Sequence, residues 1–299
     1  MSKNILIIGL NSELAQETIK ELKLKDYKIW ATSRQIGMMD EKIKEIYLDV
    51  CNEESFFIAK EKLRDISFDT IINFTGIAIA GAVEELSEIE LKKQLDVNLF
   101  GLLKIIKYFC PNLKPNGKLV NISSMASYGI FPFLSPYCIS KASADILLNT
   151  YAIESKKKVV SIRPGAVATK FWDKSIELNK KVFENEKTKF KNESDFLVKN
   201  AQKNSLHAKN SINVAKKIAK IVDLENPKTV YNIGLDSKIT KLSRFFSQNA
   251  VNSIVKLILK SRIKNIWWQK TLKKYSLFIL LLQLWTEKTV VSSQPMSLL

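Results

Sequence analysis

Histidine is nearly absent from this chain of 299 residues: there is one, His207. A single imidazole with no ligand partners speaks against a Ser-His-Asp triad and against metal chemistry, so no metal site is expected. Cysteine is scarce too. Cys51, Cys110 and Cys138 are odd in number, irregularly spaced and form no Cys-x-x-Cys. That fits a reduced intracellular protein with neither structural disulfides nor zinc. No secretory leader is expected, because the apolar run Ile5 to Leu10 is short and leads into a polar helical pattern. The expected location is cytoplasmic. Internal repeats and Gly/Ser-rich linkers are missing as well, so one domain is expected over residues 1–236. Acidic residues are in deficit, 30 against 47 basic ones, for a formal net charge of +17. Such an excess reads either as a nucleic-acid or anionic-membrane partner or as a lysine-heavy bias spread over helix surfaces. The lysines are scattered among many Asn and Ile, which favours the second reading. No nucleic-acid recognition motif accompanies the charge, and no nucleic-acid partner is expected.

What is present is an alternation of short apolar runs and helical patterns, with 46% hydrophobic residues to build a core. Asn4 to Ile8 is continuously apolar after its first residue, as in a strand buried on both faces of a parallel sheet. Gly9 follows, then a helical pattern to about Leu24. Strand, glycine turn and helix is the arrangement that sets a pyrophosphate on a helix N-terminus. Lys28 to Ser33 reads as the second strand and ends at Arg34. In dinucleotide folds a basic residue there accommodates a 2′-phosphate, so Arg34 argues for NADP(H) over NAD(H). Ile46 to Val50, Thr70 to Gly76, Lys118 to Ile122, Val159 to Pro164 and Thr229 to Gly234 read as further strands, with a helix from about Glu88 to Phe109.

The stretch Gly117 to Lys141 carries the chemistry. Tyr137 and Lys141 are four residues apart, which on a helix places both on one face. Ser135 is suited to the N-cap and Pro136 to the first helical position. A protonated lysine beside a phenol favours phenolate, so Lys141 is expected to lower the Tyr137 pKa from about 10. A tyrosine tuned this way can give or take a proton near neutral pH. Ser124, at the end of the preceding strand, could hold a carbonyl oxygen beside it.

Ser124 followed by Tyr137-x-x-x-Lys141 resembles the short-chain dehydrogenase/reductase family, and the rest of the chain adds to the resemblance over roughly residues 4 to 235. The family's Gly-x-x-x-Gly-x-Gly is carried as Gly9, Glu13 and Ala15. Glu13 is the real departure, because a carboxylate near a phosphate is unwelcome unless it points away. Asp49-Val50 matches the adenine contact. Asn73 and Gly76 match two positions of Asn-Asn-Ala-Gly, and Asn98 falls on the fourth catalytic position. Pro164-Gly165 with Thr169 matches Pro-Gly-x-x-x-Thr. Weakly, the end of the chain's last strand is similar to the steroid- and retinol-type branch.

The fold that this resemblance implies is α/β: a Rossmann-like, doubly wound, mostly parallel seven-stranded sheet with helices on both faces. The implied activity is NADP(H)-dependent oxidoreduction of a carbonyl/alcohol pair. Tyr137 would be general acid and base, Lys141 would bind the nicotinamide ribose, Ser124 would stabilise the developing oxyanion, and Asn98 would support a water-linked proton path. Gly9, Asn11, Ser12, Leu14, Arg34, Asp49, Val50, Asn73, Gly76, Tyr137, Lys141, Pro164, Gly165, Val167 and Thr169 would hold the cofactor. Subunits of the family pair through the helices bearing Asn98 and Tyr137, which implies a homodimer or homotetramer. The alternative is a nucleotide-sensing member of the same fold that binds NADP without turnover.

Residues 171–209 are the expected substrate lid. Its aromatics, with the apolar stretch after Ser124, point to a lipophilic substrate bound by Phe131, Phe133 and Phe171. Residues 237–299 are expected to form a basic, helical C-terminal extension. Lys256 to Lys274 has no acid and holds Trp267-Trp268, and an apolar run from Ser276 to Trp285 follows. That run is too short to span a bilayer, which takes roughly 20 residues. It suits a helix lying in a membrane interface, so that residues 256–285 would touch the bilayer peripherally, or a helical arm packed on protein. Thr286 to Leu299 is expected to be disordered.

Overall fold

The computed structural model describes residues 2–37, 43–155 and 157–263. The chain divides into two compact units, Met1–Arg244 and Phe245–Leu299.

The first unit is built on one seven-stranded sheet. In chain order its elements are β1 (Lys3–Ile8), α1 (Glu13–Lys23), β2 (Tyr27–Ser33), β3 (Ile43–Tyr47), α2 (Glu53–Leu63), β4 (Phe68–Asn73), α3 (Glu88–Leu95), α4 (Gly101–Phe109), β5 (Leu113–Ile122), α5 (Ser135–Ser155) and β6 (Lys158–Pro164). There follow β7 (Val167–Ala168), α6 (Phe171–Leu178), α7 (Lys180–Phe183), α8 (Lys191–His207), β8 (Lys209–Asn210), α9 (Ser211–Asp223), β9 (Val230–Ile233) and α10 (Leu235–Leu242). The strand order is β3-β2-β1-β4-β5-β6-β9, and every pairing is parallel. β7 and β8 form a separate two-stranded ribbon.

The continuous apolar run of β1 is explained by its position. Ile5 and Ile7 point into a core with α1 and α9, and Leu6 and Ile8 into a core with α2, α4 and α5. A central strand flanked by helices on both faces has no wet side, so alternation is lost. The chain winds outward from β1 through β2 to β3 and then returns to β4 on the other side of β1. This reversal opens a crevice at the carboxyl ends of β1 and β4, where ligands settle in open α/β sheets.

Three local features differ from the expectations. Asp49-Val50 lies beyond the end of β3, in the turn that Asn52 closes as N-cap of α2. The helix expected from Glu88 to Phe109 is interrupted by a π turn over Asp96–Phe100. Such turns widen a helix by one residue and recur at functional sites. Ser135 is already helical, and its buried hydroxyl has no hydrogen-bond partner, so it is not an N-cap.

In the second unit the described helix is α11 (Gln248–Ile263). Trp267-Trp268, the apolar run 276–285 and the terminal residues to Leu299 lie outside the described residues. Among the described residues no helix is long and apolar enough to cross a membrane.

Candidate active site

β5 and α5 bring the central residues together. β5 ends at Ile122, and Ser124 caps a short 3-10 turn, its Oγ accepting from the Ala126 N–H at 3.1 Å. α5 then carries Tyr137 and Lys141 back over the strand end. Lys141 Nζ donates to the Ile122 carbonyl at 3.0 Å and lies 5.8 Å from the centroid of the Tyr137 ring. Gly76, beyond β4, makes room for this. A Cβ there would stand 3.3 Å from Lys141 Nζ and 3.5 Å from Asn98 Oδ1.

Asn98 sits on the π turn, and its carboxamide clamps the loop after β4. It accepts from the Ile77 N–H at 2.9 Å and donates to the Ile77 carbonyl at 3.0 Å and to Ser140 Oγ at 2.9 Å. Its side chain thus shapes the site wall through the loop. Gln94, one turn earlier, does the same with the Ile79 N–H and the Ile77 carbonyl. Gln94 and Ser140 were not singled out from the sequence, since their signal exists only where three segments meet.

The electrostatics correct one expectation. Burial pushes the Tyr137 phenol up to about 12, with the Ser124 hydroxyl opposing that rise. Burial also pulls Lys141 down to about 8, and Asp145 holds it up against that fall. The lysine therefore does not lower the phenol here, because desolvation acts against both charged forms. Asp145 lies one helical turn beyond Lys141 and is itself buried. It pairs with Arg163 Nε at 2.7 Å and accepts from Ser161 Oγ at 2.6 Å. Arg163 stacks under Tyr128, its Cζ 4.2 Å from the ring centroid. This buried pair links α5 to the end of β6 and also escaped the sequence reading.

The expected cofactor residues are held in different ways. Gly9 has φ +94°, and a Cβ on it would meet Thr75 Cγ2 at 3.0 Å, so only glycine fits between β1 and the β4 turn. Asn11 is tied to the end of β2, accepting from Ser33 and donating to Gln35 Oε1 at 3.2 Å. Ser12 is N-cap of α1 without a side-chain cap bond. Leu14 packs its side chain in the core, leaving its backbone in the first turn of α1. The Glu13 carboxylate is tied to the start of the lid, its Oε2 accepting from the Lys170 N–H at 3.0 Å. Arg34 is exposed just past β2. Asp49 is bonded within its own turn through Cys51 and Ser55. Val50 receives Gly101, whose added Cβ would come within 3.1 Å.

Asn73 holds its turn by accepting from the Thr75 N–H at 3.0 Å, and it donates to Asn121 at 2.8 Å. After Pro164, the Asp236 carboxylate fills the space where a side chain on Gly165 would stand, and it accepts from the Ala166 N–H at 2.7 Å. The Val167 carbonyl accepts from Trp172 Nε1 at 2.7 Å, and Thr169 is buried at the start of the lid. Of the three aromatics proposed for substrate, Phe171 comes to Tyr137, with ring centroids 6.2 Å apart. Phe133, at φ +64°, turns its ring to Phe190 of the lid, and Phe131 lies against Gly129. The lid is fastened to the β4 loop by Asn179, which accepts from the Ala80 N–H at 2.8 Å and donates to the Ala78 carbonyl at 2.9 Å.

Comparison with known proteins bears on the family and the fold. A family model described as short chain dehydrogenase matches residues 3–181. A 3-amino-tetrahydro-pyrrolizinone reductase of Xenorhabdus hominickii is 30% identical over 253 residues, covering 79% of this chain and 88% of that protein. A 3-ketodihydrosphingosine reductase of Bacteroides thetaiotaomicron is 30% identical over 176 residues, covering 56% of this chain and 65% of that protein. A crystal structure of a short chain dehydrogenase from Burkholderia cenocepacia J2315 in complex with NADP matches the fold with a TM-score of 0.65 at 16% identity, covering 85% of this chain and 97% of that one. With a parallel seven-stranded sheet, and with the matched segment running from the first strand to the lid, the chain belongs to the short-chain dehydrogenase family of oxidoreductases.

Proposed function

We propose that the protein is an NADP(H)-dependent reductase of a lipophilic carbonyl compound. The observation that carries this reading is the seating of Tyr137 and Lys141 beside the end of β5, with Ser124 facing the phenol. At neutral pH the phenol is protonated, the form that donates to a carbonyl oxygen. Ser124 Oγ accepts from Ala126 and its hydroxyl meets the Tyr137 phenol, so a carbonyl oxygen entering between them would receive both protons. Lys141 uses one donor on Ile122 and keeps two, for a ribose hydroxyl and for the charge left on Tyr137. Asn98 holds the Gly76–Ile77 backbone that walls the site.

The crevice fits a dinucleotide. Gly9 lets the β1 turn close on Thr75, Gly76 makes room for Lys141 and Asn98, and Glu13 is held by the Lys170 amide. Gly9, the first-turn amides of α1, Asn73, Gly76, Val167 and Thr169 would hold the cofactor. Arg34 would meet a 2′-phosphate, and Asp49-Val50 the adenine. Bound there, NADP(H) supplies the hydride. The oxidative direction needs phenolate, which burial disfavours, and the two relatives above are named as reductases.

A lipophilic substrate is supported by Phe171 against Tyr137 and by Phe133 against Phe190. The named substrate of the Bacteroides relative points the same way. A homodimer is supported by apolar side chains left exposed on α5, where Ile139, Ile146 and Ile153 recur every seven residues, and by Leu103 on α4. Peripheral membrane contact through residues 256–285 is proposed on the basic, tryptophan-bearing sequence alone.

The test is titration of NADPH and NADH into wild type and Arg34→Glu by fluorescence, followed by turnover of long-chain ketones with Tyr137→Phe as control. The expected result is NADPH preference lost in Arg34→Glu, and turnover lost in Tyr137→Phe with cofactor binding retained. Cofactor binding without turnover of any carbonyl would leave a nucleotide-binding protein instead. Reduction of small hydrophilic sugars alone would sink the lipophilic substrate.

A further inference from the structure

At the far edge of the sheet, α9 and β9 border two adjoining grooves, each of about 380 Å³, that share Lys209, Lys217 and Lys220. Lys216 lines the first and Lys238 the second. No carboxylate lines either groove, and none of the five lysines makes an ion pair among the described residues. The acids nearest in sequence are engaged elsewhere. Asp223 holds Lys25 and Tyr27, and Asp236 accepts from the Ala166 and Ser237 amides. Lys216 and Lys220 stand one helical turn apart, and Lys217 and Lys220 three residues apart. Like charges at these spacings repel unless an anion lies between them.

Tyr231, which lines the second groove, is a donor too. Its Oη accepts from the Lys228 N–H at 2.9 Å, which leaves its own proton to give. Four ammonium groups line each groove, with the Asn213 carboxamide in the first and the Tyr231 phenol in the second, and this excess of donors with no carboxylate matches a multiply charged oxyanion. Arg34, at the 2′-phosphate end of the crevice, is elsewhere: β9 is five strand positions from β2, which precedes Arg34, a span of about 24 Å at ~4.8 Å per strand. The groove adjoins only the end that Gly165 and Val167 border, where the Ile233 carbonyl accepts from the Gly165 N–H and Lys209 pairs with Val167.

We propose that this groove is a second anion site, binding a multiply charged phosphate group distinct from the dinucleotide phosphates. The source is either a free phosphate compound or the headgroup of an anionic lipid, and one variant set separates them. The full chain is titrated with inorganic tripolyphosphate by calorimetry. Wild type is compared with a Lys216→Glu/Lys217→Glu/Lys220→Glu variant and with a charge-matched Lys62→Glu/Lys93→Glu/Lys199→Glu control. Each protein is also co-sedimented with phosphatidylcholine vesicles, with and without phosphatidylglycerol.

Affinity should fall by about tenfold or more in the groove variant and stay near wild type in the control. Any binding at the loop between β1 and α1 survives the groove variant and is subtracted by it. Loss confined to tripolyphosphate assigns a free phosphate compound. Loss that includes anionic vesicles assigns a lipid headgroup. If the groove variant binds both probes as well as the control does, or if wild type binds neither, the proposal is wrong.

Discussion

Lys141 is 6% exposed, with its ammonium on the Ile122 carbonyl, whereas Lys216, Lys217 and Lys220 stand exposed on α9. One side chain type serves two regions differently because water is excluded in one and present in the other. In the buried site desolvation brings the lysine down to about 8, where it becomes a tunable proton donor. On α9 the ammonium groups remain hydrated point charges, useful only through their number and convergence. Lys118 falls between the two. It is buried on β5 and drawn down to about 8 by desolvation, yet it serves structure, donating to the Val222 carbonyl at 2.7 Å. Burial makes a lysine chemically available, and only a neighbouring reactive group gives that availability a use.

Replacing the two buried lysines is the strongest way to break this comparison. Lys141→Met should lower kcat by about 10²–10⁴, the range for losing a proton-transfer partner, while Lys118→Met leaves kcat near wild type. Steady-state reduction kinetics on both variants check this, and equal losses would mean that burial alone explains Lys141.

Stability gives the next largest effect. A folded pKa of about 8 against about 10.5 unfolded means that the native state resists protonation, so the buried charge destabilises the fold below about pH 8. Stability of wild type therefore rises as pH climbs from about 8 to about 10.5. Lys141→Met should be more stable than wild type at pH 7 by about 1–2 kcal/mol, after allowing for the lost hydrogen bond to Ile122. That advantage should shrink above pH 8, as read by denaturant melts across pH.

Removing a charge at the other end of the crevice sharpens the contrast further. Glu13→Gln can still accept from the Lys170 amide but carries no charge near the first turn of α1. NADPH should bind about two- to fivefold more tightly, measured by fluorescence titration. The smallest effect belongs to the exposed set. The triple charge reversal on α9 should leave kcat for reduction within about twofold of wild type, since exposed positions remote from the site seldom matter.

Much of the site was legible in the sequence because it rests on short-range geometry. Tyr137 and Lys141 share a face through the helical period, and Ser124 follows a strand whose apolar run marks it as buried. Gly9 was legible as a turn glycine, although the Thr75 contact that demands it comes from 66 residues away. Other parts had no local signal. Asp145 and Arg163 carry no mark of their pairing along the chain; it exists only once α5 is laid on β6. Asn179 reads as a helix-end polar residue until the lid meets the β4 loop. Glu13 reads as a departure in the phosphate loop until the Lys170 amide, 157 residues on, supplies its partner.

Sequence alone determined the order of strands and helices, the family resemblance and the register of serine, tyrosine and lysine, because periodicity and spacing are properties of neighbours along the chain. Tertiary structure decided the protonation of Tyr137 and Lys141, the partner of Glu13 and the gathering of five lysines around two adjoining grooves. Desolvation and charge convergence depend on which distant segments exclude water from one another, and no local pattern encodes that.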